Sequence, residues 1–205
     1  MMVSHGLRPG RPTPTPVPGY EDFCGGDLCV GFFTEMFAAG RIPIPQGAKV
    51  LEIGCAEVDW LTPMKARRPD LTLVGVDQRQ HEERPGADLL VRGDLMQRAL
   101  FKPATFDVAI AISVIEHVGI GRYGDPVERD GDSMAMANLH YWLKPDGFLY
   151  MDVPYRHDGL STEFRAYNET DLQKRVIHGW TEVDREYFTG NGHPDGPYIA
   201  LVLKP

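Results

Sequence analysis

The sequence predicts an α/β three-layer sandwich: a mostly parallel seven-stranded sheet, closed by a C-terminal antiparallel hairpin. Three observations predict it. Short β-branched runs, apolar on both faces, recur along the chain, and helical stretches separate several of them. After Pro154 the pattern changes to two further strands joined by a Gly- and Pro-rich turn. Central parallel strands need apolar side chains on both faces, because helices cover both sides of such a sheet.

The elements follow in order. Residues 1–19 carry Pro9, Pro12, Pro14, Pro16 and Pro18 with no apolar periodicity, so they read as a Pro-rich flexible arm before a single domain over 20–205. From Asp27 to Ala39, Leu28, Val30, Phe32, Phe33, Met36 and Phe37 recur at helical spacing, and Gly40 stops that helix. KVLEIG (49–54), LTLVGVD (71–77), ADLLVRGD (87–94), FDVAIAIS (106–113) and GFLYMDVP (147–154) are five strands, each expected to form a βα unit. Helices are expected at Asp59 to Arg68 and at Asp132 to Leu143. The second has a capping-type Asp at its start and is stopped by a Lys144-Pro145-Asp146-Gly147 turn. Asn168 caps a helix to Val176, and WTEVDREYF (180–188) with YIALVLK (198–204) forms the hairpin.

Composition narrows the function. The 205 residues carry 21 basic and 29 acidic side chains, a net charge of −8, and no basic cluster. Neutralising a phosphate backbone needs such a cluster, so a nucleic-acid partner is not expected. The longest apolar stretches, such as Val108 to Ile112, fall far short of the roughly 18–20 residues that span a bilayer, so no membrane partner is expected. The N-terminus lacks a signal-peptide layout, and the 3 cysteines form neither an even framework nor a zinc pattern. A reduced, cytoplasmic protein is the expectation.

In an open parallel sheet, ligands lie beyond the carboxyl ends of the strands, where strand order reverses. This selects Glu52, Gly54, Cys55 and Ala56 after the first strand, Asp77 and Gln78 after the second, and Asp94 with Leu95 after the third. Ser113, Glu116 and His117 follow the fourth, and Tyr155 follows the fifth. A carboxylate at Asp77 suits the 2′ and 3′ hydroxyls of a ribose, at roughly the 20-residue spacing from Gly54 that such sites use. Asp94 suits the exocyclic amine of an adenine. A dinucleotide reading fails, since Gly54 alone does not make the GxGxxG phosphate cradle.

VLEIGCAEVDW, LVGVD, GD, FDVAIAISVIEHV and LKPDGFLYMDVP together resemble the class I S-adenosylmethionine-dependent methyltransferases over residues 48–154. The stretch EHVGIGRYGDP resembles one bacterial subgroup of that family. The resemblance implies a Rossmann-like fold and S-adenosylmethionine as cofactor, with S-adenosylhomocysteine as product. It places Glu52 and Gly54 at the methionine portion, Asp77 on the ribose, Asp94 and Leu95 around the adenine, and Ser113 beside the sulfonium. The first loop departs from the family's acid-x-Gly-x-Gly-x-Gly, with Ala56 and Val58 at its second and third glycines. Either the loop takes another shape or it binds the cofactor weakly.

The resemblance implies methyl transfer to a small molecule or sugar, with oxygen preferred to nitrogen as the accepting atom. The competing reading is a non-catalytic nucleoside- or partner-binding domain that keeps the fold. His117 is the first candidate for the base that takes the acceptor's proton, and His157 the second. Glu116, Tyr123, Tyr155 and Arg156 are candidate substrate contacts, Arg156 for an acidic or phosphate-bearing group. The long segment from Gly119 to Pro126 is expected to cover the acceptor. The carboxylates at Asp125, Glu128, Asp130 and Asp132 lack calcium-loop spacing and read as wet surface, so no metal is expected.

Overall fold

Period-two alternation in the strands sorts the core into two layers. The computed structural model describes residues 28–57, 59–80, 83–156, 164–188 and 197–205. The seven strands are β1 (Lys49–Ile53), β2 (Thr72–Asp77), β3 (Leu89–Arg92), β4 (Phe106–Ile112), β5 (Leu143–Pro154), β6 (Thr181–Phe188) and β7 (Tyr198–Lys204). They form one sheet in the order β3-β2-β1-β4-β5-β7-β6. β7 alone runs against its neighbours β5 and β6; the other pairings are parallel. The expected arm at 1–19 and most of the hairpin turn lie outside the described residues.

Val50, Leu73, Val108, Ile110, Tyr150, Ala200 and Val202 pack against Phe32, Phe33, Met36, Trp60, Leu61 and Met64. These come from α1 (Leu28–Ala38), α2 (Leu61–Arg67) and the turn before α2. The alternate residues Leu51, Val74, Ala109, Met151 and Leu201 pack against Ala135, Met136, Leu139 and Trp142 of α3 (Gly131–Trp142), and against Leu172 and Val176. Helices thus cover both faces, which is why the strands are apolar throughout.

Four expectations need correction. No α-helix links β2 to β3 or β3 to β4 among the described residues, where a single 3₁₀ turn (Arg98–Leu100) appears, so the βα alternation is incomplete. The edge strand β3 is correspondingly half-exposed. Lys144 to Gly147 is no helix-to-strand turn but a bulge inside β5, because the pairing jumps from Phe106↔Leu143 to Val108↔Phe148. Asp107, opposite it, accepts from the Lys144 ammonium at 2.6 Å and from the Lys49 N–H at 2.9 Å, which pins the bulge. The last helix begins as α4 (Glu169–Asp171), with the Asn168 side chain accepting from the Asp171 N–H, and then widens into a π-helical turn over Leu172–Val176. Finally, Asp132 is not a cap: it lies inside α3, fully buried, with Arg175 and Tyr167 on its carboxylate.

Candidate active site

Strand order reverses between β1 and β4, and a cavity of about 350 Å³ opens there beyond the carboxyl ends of the strands. That volume suits a small-molecule ligand. Glu52, Gly54, Asp77, Gln78, Asp94, Leu95, Ser113, Glu116, His117 and Tyr123, all selected from the sequence, line it.

β1 delivers Glu52 and Gly54. Alternation turns Glu52 toward the α1/α2 layer, where it is buried and its Oε2 has no hydrogen-bond partner among the described residues. Burial pushes its carboxyl well above the usual range; Asp59 and Asp77 add to the effect and Arg84 offsets part of it. The indole N–H of Trp60, buried on the same cavity, also lacks a partner among the described residues. Gly54 has φ +80°, and a Cβ there would stand 2.5 Å from Val114 Cγ2, so the loop needs glycine at this point.

β2 ends in Asp77. Its Oδ1 accepts from the Arg79 N–H (2.8 Å) and Arg79 Nε (3.1 Å), while Oδ2 accepts from the Ala56 N–H (3.1 Å) and Arg79 Nη2 (3.1 Å). Burial opposes its ionisation, but these donors outweigh burial and hold the carboxyl below its ordinary value. Beyond β3, Asp94 accepts from the Met96 N–H at 2.9 Å, and Asn138 of α3 donates to the Leu95 carbonyl at 2.8 Å, fixing that wall.

β4 ends in Ser113, held at φ +54°, a conformation uncommon outside glycine and often found at functional sites. Its N–H donates to Asp152 Oδ1 at 2.8 Å and its hydroxyl to Glu116 Oε1 at 2.7 Å. His117 follows in a 3₁₀ turn, its ring edge-on to Tyr123 and Phe164 at centroid distances of 5.6 and 6.3 Å. The Tyr123 loop closes on Asp125, which accepts from the Gly119 N–H at 2.6 Å and the Tyr123 N–H at 3.3 Å. Arg165 donates to the carbonyls of Val118 and Glu128, and Arg175 to that of Arg129, tying the loop to the segment after β5. The expected wet acidic surface is therefore wrong for Asp125 and Asp132, both buried.

Four expected residues lie away from the cavity lining. Cys55 sits in the α1/α2 core, and burial pushes its thiol up to about 12. Ala56 contributes its N–H to Asp77 but no lining side chain. Pro154 is the last lining residue of β5; Tyr155 turns to the α3 layer, its ring 5.0 Å from that of Tyr187, and its backbone pairs with Pro197. Arg156 donates its N–H to the Tyr167 carbonyl and does not line the cavity either. His157 lies outside the described residues. Among the described residues no cluster of three or more His, Cys, Asp or Glu could hold a metal ion. The sequence reading missed Arg79, whose guanidinium lies 4.3 Å over the Tyr123 ring, and also Trp60, Val30 of α1, Phe164 and Tyr198. Arg79 had one signal, its place two residues after the acid of β2; Phe164, far along the chain, had none.

A family profile described as "Caenorhabditis protein of unknown function, DUF268" matches residues 90–185. No curated protein sequence matches the chain. Solved structures do. The 1,6-didemethyltoxoflavin-N1-methyltransferase of Burkholderia thailandensis, solved with 1,6-didemethyltoxoflavin and S-adenosylhomocysteine, superposes with TM-score 0.59 at 18% identity over 83% of this chain and 75% of its own. The N-methyltransferase NodS of Bradyrhizobium japonicum, solved with S-adenosylhomocysteine, gives 0.52 at 17% over 77% and 78%. The [4+2]-cyclase SpnF gives 0.62 at 16% over 89% and 85%. The sheet order, the reversed β7 and these superpositions agree: the chain has the fold of the class I S-adenosylmethionine-dependent methyltransferases.

Proposed function

We propose that the chain is an S-adenosylmethionine-dependent methyltransferase acting on an oxygen, with nitrogen the alternative, of a small molecule or sugar. One observation carries this reading: Gly54, Asp77, Asp94 and Ser113, from the carboxyl ends of four strands, converge on one cavity at the reversal of strand order. The cavity also fits the cofactor's amino-acid end. Glu52 Oε2 and the Trp60 N–H are a buried acceptor and a buried donor without partners among the described residues, suited to an ammonium and a carboxylate. Asp77 would hold the ribose, and Asp94 with Leu95 the adenine.

When bound, the cofactor supplies a methyl carbon already activated by the sulfonium charge. The protein's share is then alignment, with a base for a hydroxyl or amine acceptor. We assign that role to His117, and its position on the cavity wall beside Tyr123 supports the assignment. Bound S-adenosylhomocysteine in two superposing structures supports the cofactor, and the net charge of −8 supports an acceptor other than nucleic acid. Among the described residues no helix is long and apolar enough to cross a membrane.

The second reading, a non-catalytic nucleoside- or partner-binding domain that keeps the fold, rests on the first loop, where Ala56 and Val58 stand at the family's second and third glycines. Calorimetry with S-adenosylmethionine and S-adenosylhomocysteine tests the ligand. Micromolar binding that Asp77→Ala abolishes is expected; binding of neither would refute the enzyme and the nucleoside-binding domain, leaving only the partner-binding one. Release of S-adenosylhomocysteine with an acceptor of the right class then separates the enzyme from the binding domain.

A further inference from the structure

A carboxylate offers about four lone-pair positions, and the donors on Asp77 take one each. Two are backbone N–H groups, Ala56 and Arg79, which cannot leave without reshaping the loop. The other two are Nε and Nη2 of the Arg79 guanidinium. A vicinal diol needs two acceptor positions, and only these two can be vacated by a side-chain rotation. We propose that Arg79 is the residue that sets affinity at the nucleoside site, a built-in competitor that a ribose must displace from Asp77. This rests on the nucleoside reading above and goes beyond it.

The surroundings make the displacement feasible. Arg79 Nη1 takes no part in holding Asp77; it pairs with Glu57 Oε1 at 2.6 Å, and Glu57 is largely exposed. The guanidinium also lies over the Tyr123 ring. Neither of these contacts involves Asp77, so both remain open to the guanidinium once a ligand takes its place there. The binding-competent form is the one with Arg79 rotated away, and apparent affinity falls in proportion to its population. An arginine that merely braced the loop would act in the opposite direction, because its loss would weaken ligand binding.

The test is calorimetry of wild type, Arg79→Ala, Arg79→Gln and Asp77→Ala with S-adenosylhomocysteine and with adenosine, the folded state of each checked by circular dichroism. Arg79→Ala is expected to bind both ligands about tenfold more tightly, as expected when a strong charge-assisted competitor is lost. Should the alanine variant not fold, the glutamine variant, with similar bulk and no charge, gives the same reading. Unchanged or weaker binding by the folded Arg79 variant, with wild type binding and Asp77→Ala not, overturns the competitor while leaving the nucleoside site intact. If neither wild type nor the Arg79 variants bind S-adenosylhomocysteine, the nucleoside site falls as well.

Discussion

Asp132→Asn isolates what holds the wall of the cavity in place. The Asp132 carboxylate has no exposed surface. Arg175 Nη2 donates to Oδ1 at 2.6 Å, and Arg175 Nε and the Tyr167 hydroxyl each donate to Oδ2 at 2.9 Å. Arg165 Nε stands 3.8 Å from Oδ2. Asparagine keeps the volume, so no cavity forms. It removes the charge, however, and turns an NH₂ toward groups that are themselves donors. Breaking one side of a buried ion pair costs about 3–5 kcal/mol. Here Arg175 remains 24% exposed and keeps Asp130 as a second partner at 3.1 Å, so solvent and Asp130 take up part of the loss. The expected destabilisation is about 2–3 kcal/mol. For a chain of this size each kcal/mol lowers Tm by about 2–4 °C, giving a fall of roughly 4–12 °C by scanning calorimetry.

The same variant has a local signature. Arg165 and Arg175 also hold the carbonyls of Val118, Glu128 and Arg129, which bracket the Tyr123 loop. Amide exchange over residues 119–130 should therefore quicken more than exchange in β1 or β4. Replacing the pair together by apolar residues, Asp132→Leu with Arg175→Met, should recover the part of the loss due to Arg175, while buried Arg165 stays without its counter-charge and the Tyr167 hydroxyl without its acceptor. A Tm within about 2 °C of wild type, with unchanged loop exchange, would refute the assignment of this cluster as the loop's anchor.

Other perturbations separate the parts of the site. His117→Gln should leave S-adenosylhomocysteine affinity unchanged and slow transfer to a hydroxyl acceptor by about 10²–10⁴-fold; an equal loss of cofactor binding would assign the ring to structure instead. Tyr123→Ala should weaken acceptor binding much more than cofactor binding, as separate titrations would show, and equal losses would indicate misfolding. Glu52 keeps its proton in the folded chain to a higher pH than in the unfolded one, because burial, then Asp59 and Asp77, disfavour its charge. Its stabilising contribution is full below the ordinary Glu pKa of about 4.3 and is lost as pH rises toward the folded value. Glu52→Gln, neutral throughout, should therefore gain in Tm relative to wild type as pH rises from about 5 to about 8, and a constant difference would contradict the raised value.

The strands were legible because burial on both faces leaves a mark in composition; β1, β2, β4 and β7 start and end within a residue or two of the runs that predict them. The cavity's acids were legible through a rule of place, since a residue ending a parallel strand faces the ligand side wherever the helices leave a gap. Asp132 shows where such reading fails. An Asp at the start of a helix reads as a cap, yet its partner Arg175 is 43 residues away, and nothing local announces it. Lys144 to Gly147 has turn chemistry, but whether it ends a strand or bulges within one depends on Asp107 of the neighbouring strand. The positive φ of Ser113 and the stacking of Arg79 on Tyr123 likewise belong to tertiary contacts.

One regularity joins the fold to the site. On the α1/α2 face the alternate positions run Val50 then Glu52 in β1, Leu73, Gly75 then Asp77 in β2, and Tyr150 then Asp152 in β5. In β1 and β2 the last residue on that face is a buried acid, and in β5 the buried acid stands one alternate position before Pro154. A helix packed over these three positions would make each a buried charge without compensation, a severe penalty. Glu52 and Asp77 escape that penalty because both open onto the cavity. What then separates the three is the local supply of donors. Asp77 has backbone and guanidinium N–H groups and stays ionised, Asp152 receives the Ser113 N–H, and Glu52 is pushed toward its neutral form. A cationic group entering the cavity would reverse the balance at Glu52 first, since that carboxyl has the most to gain from an opposite charge.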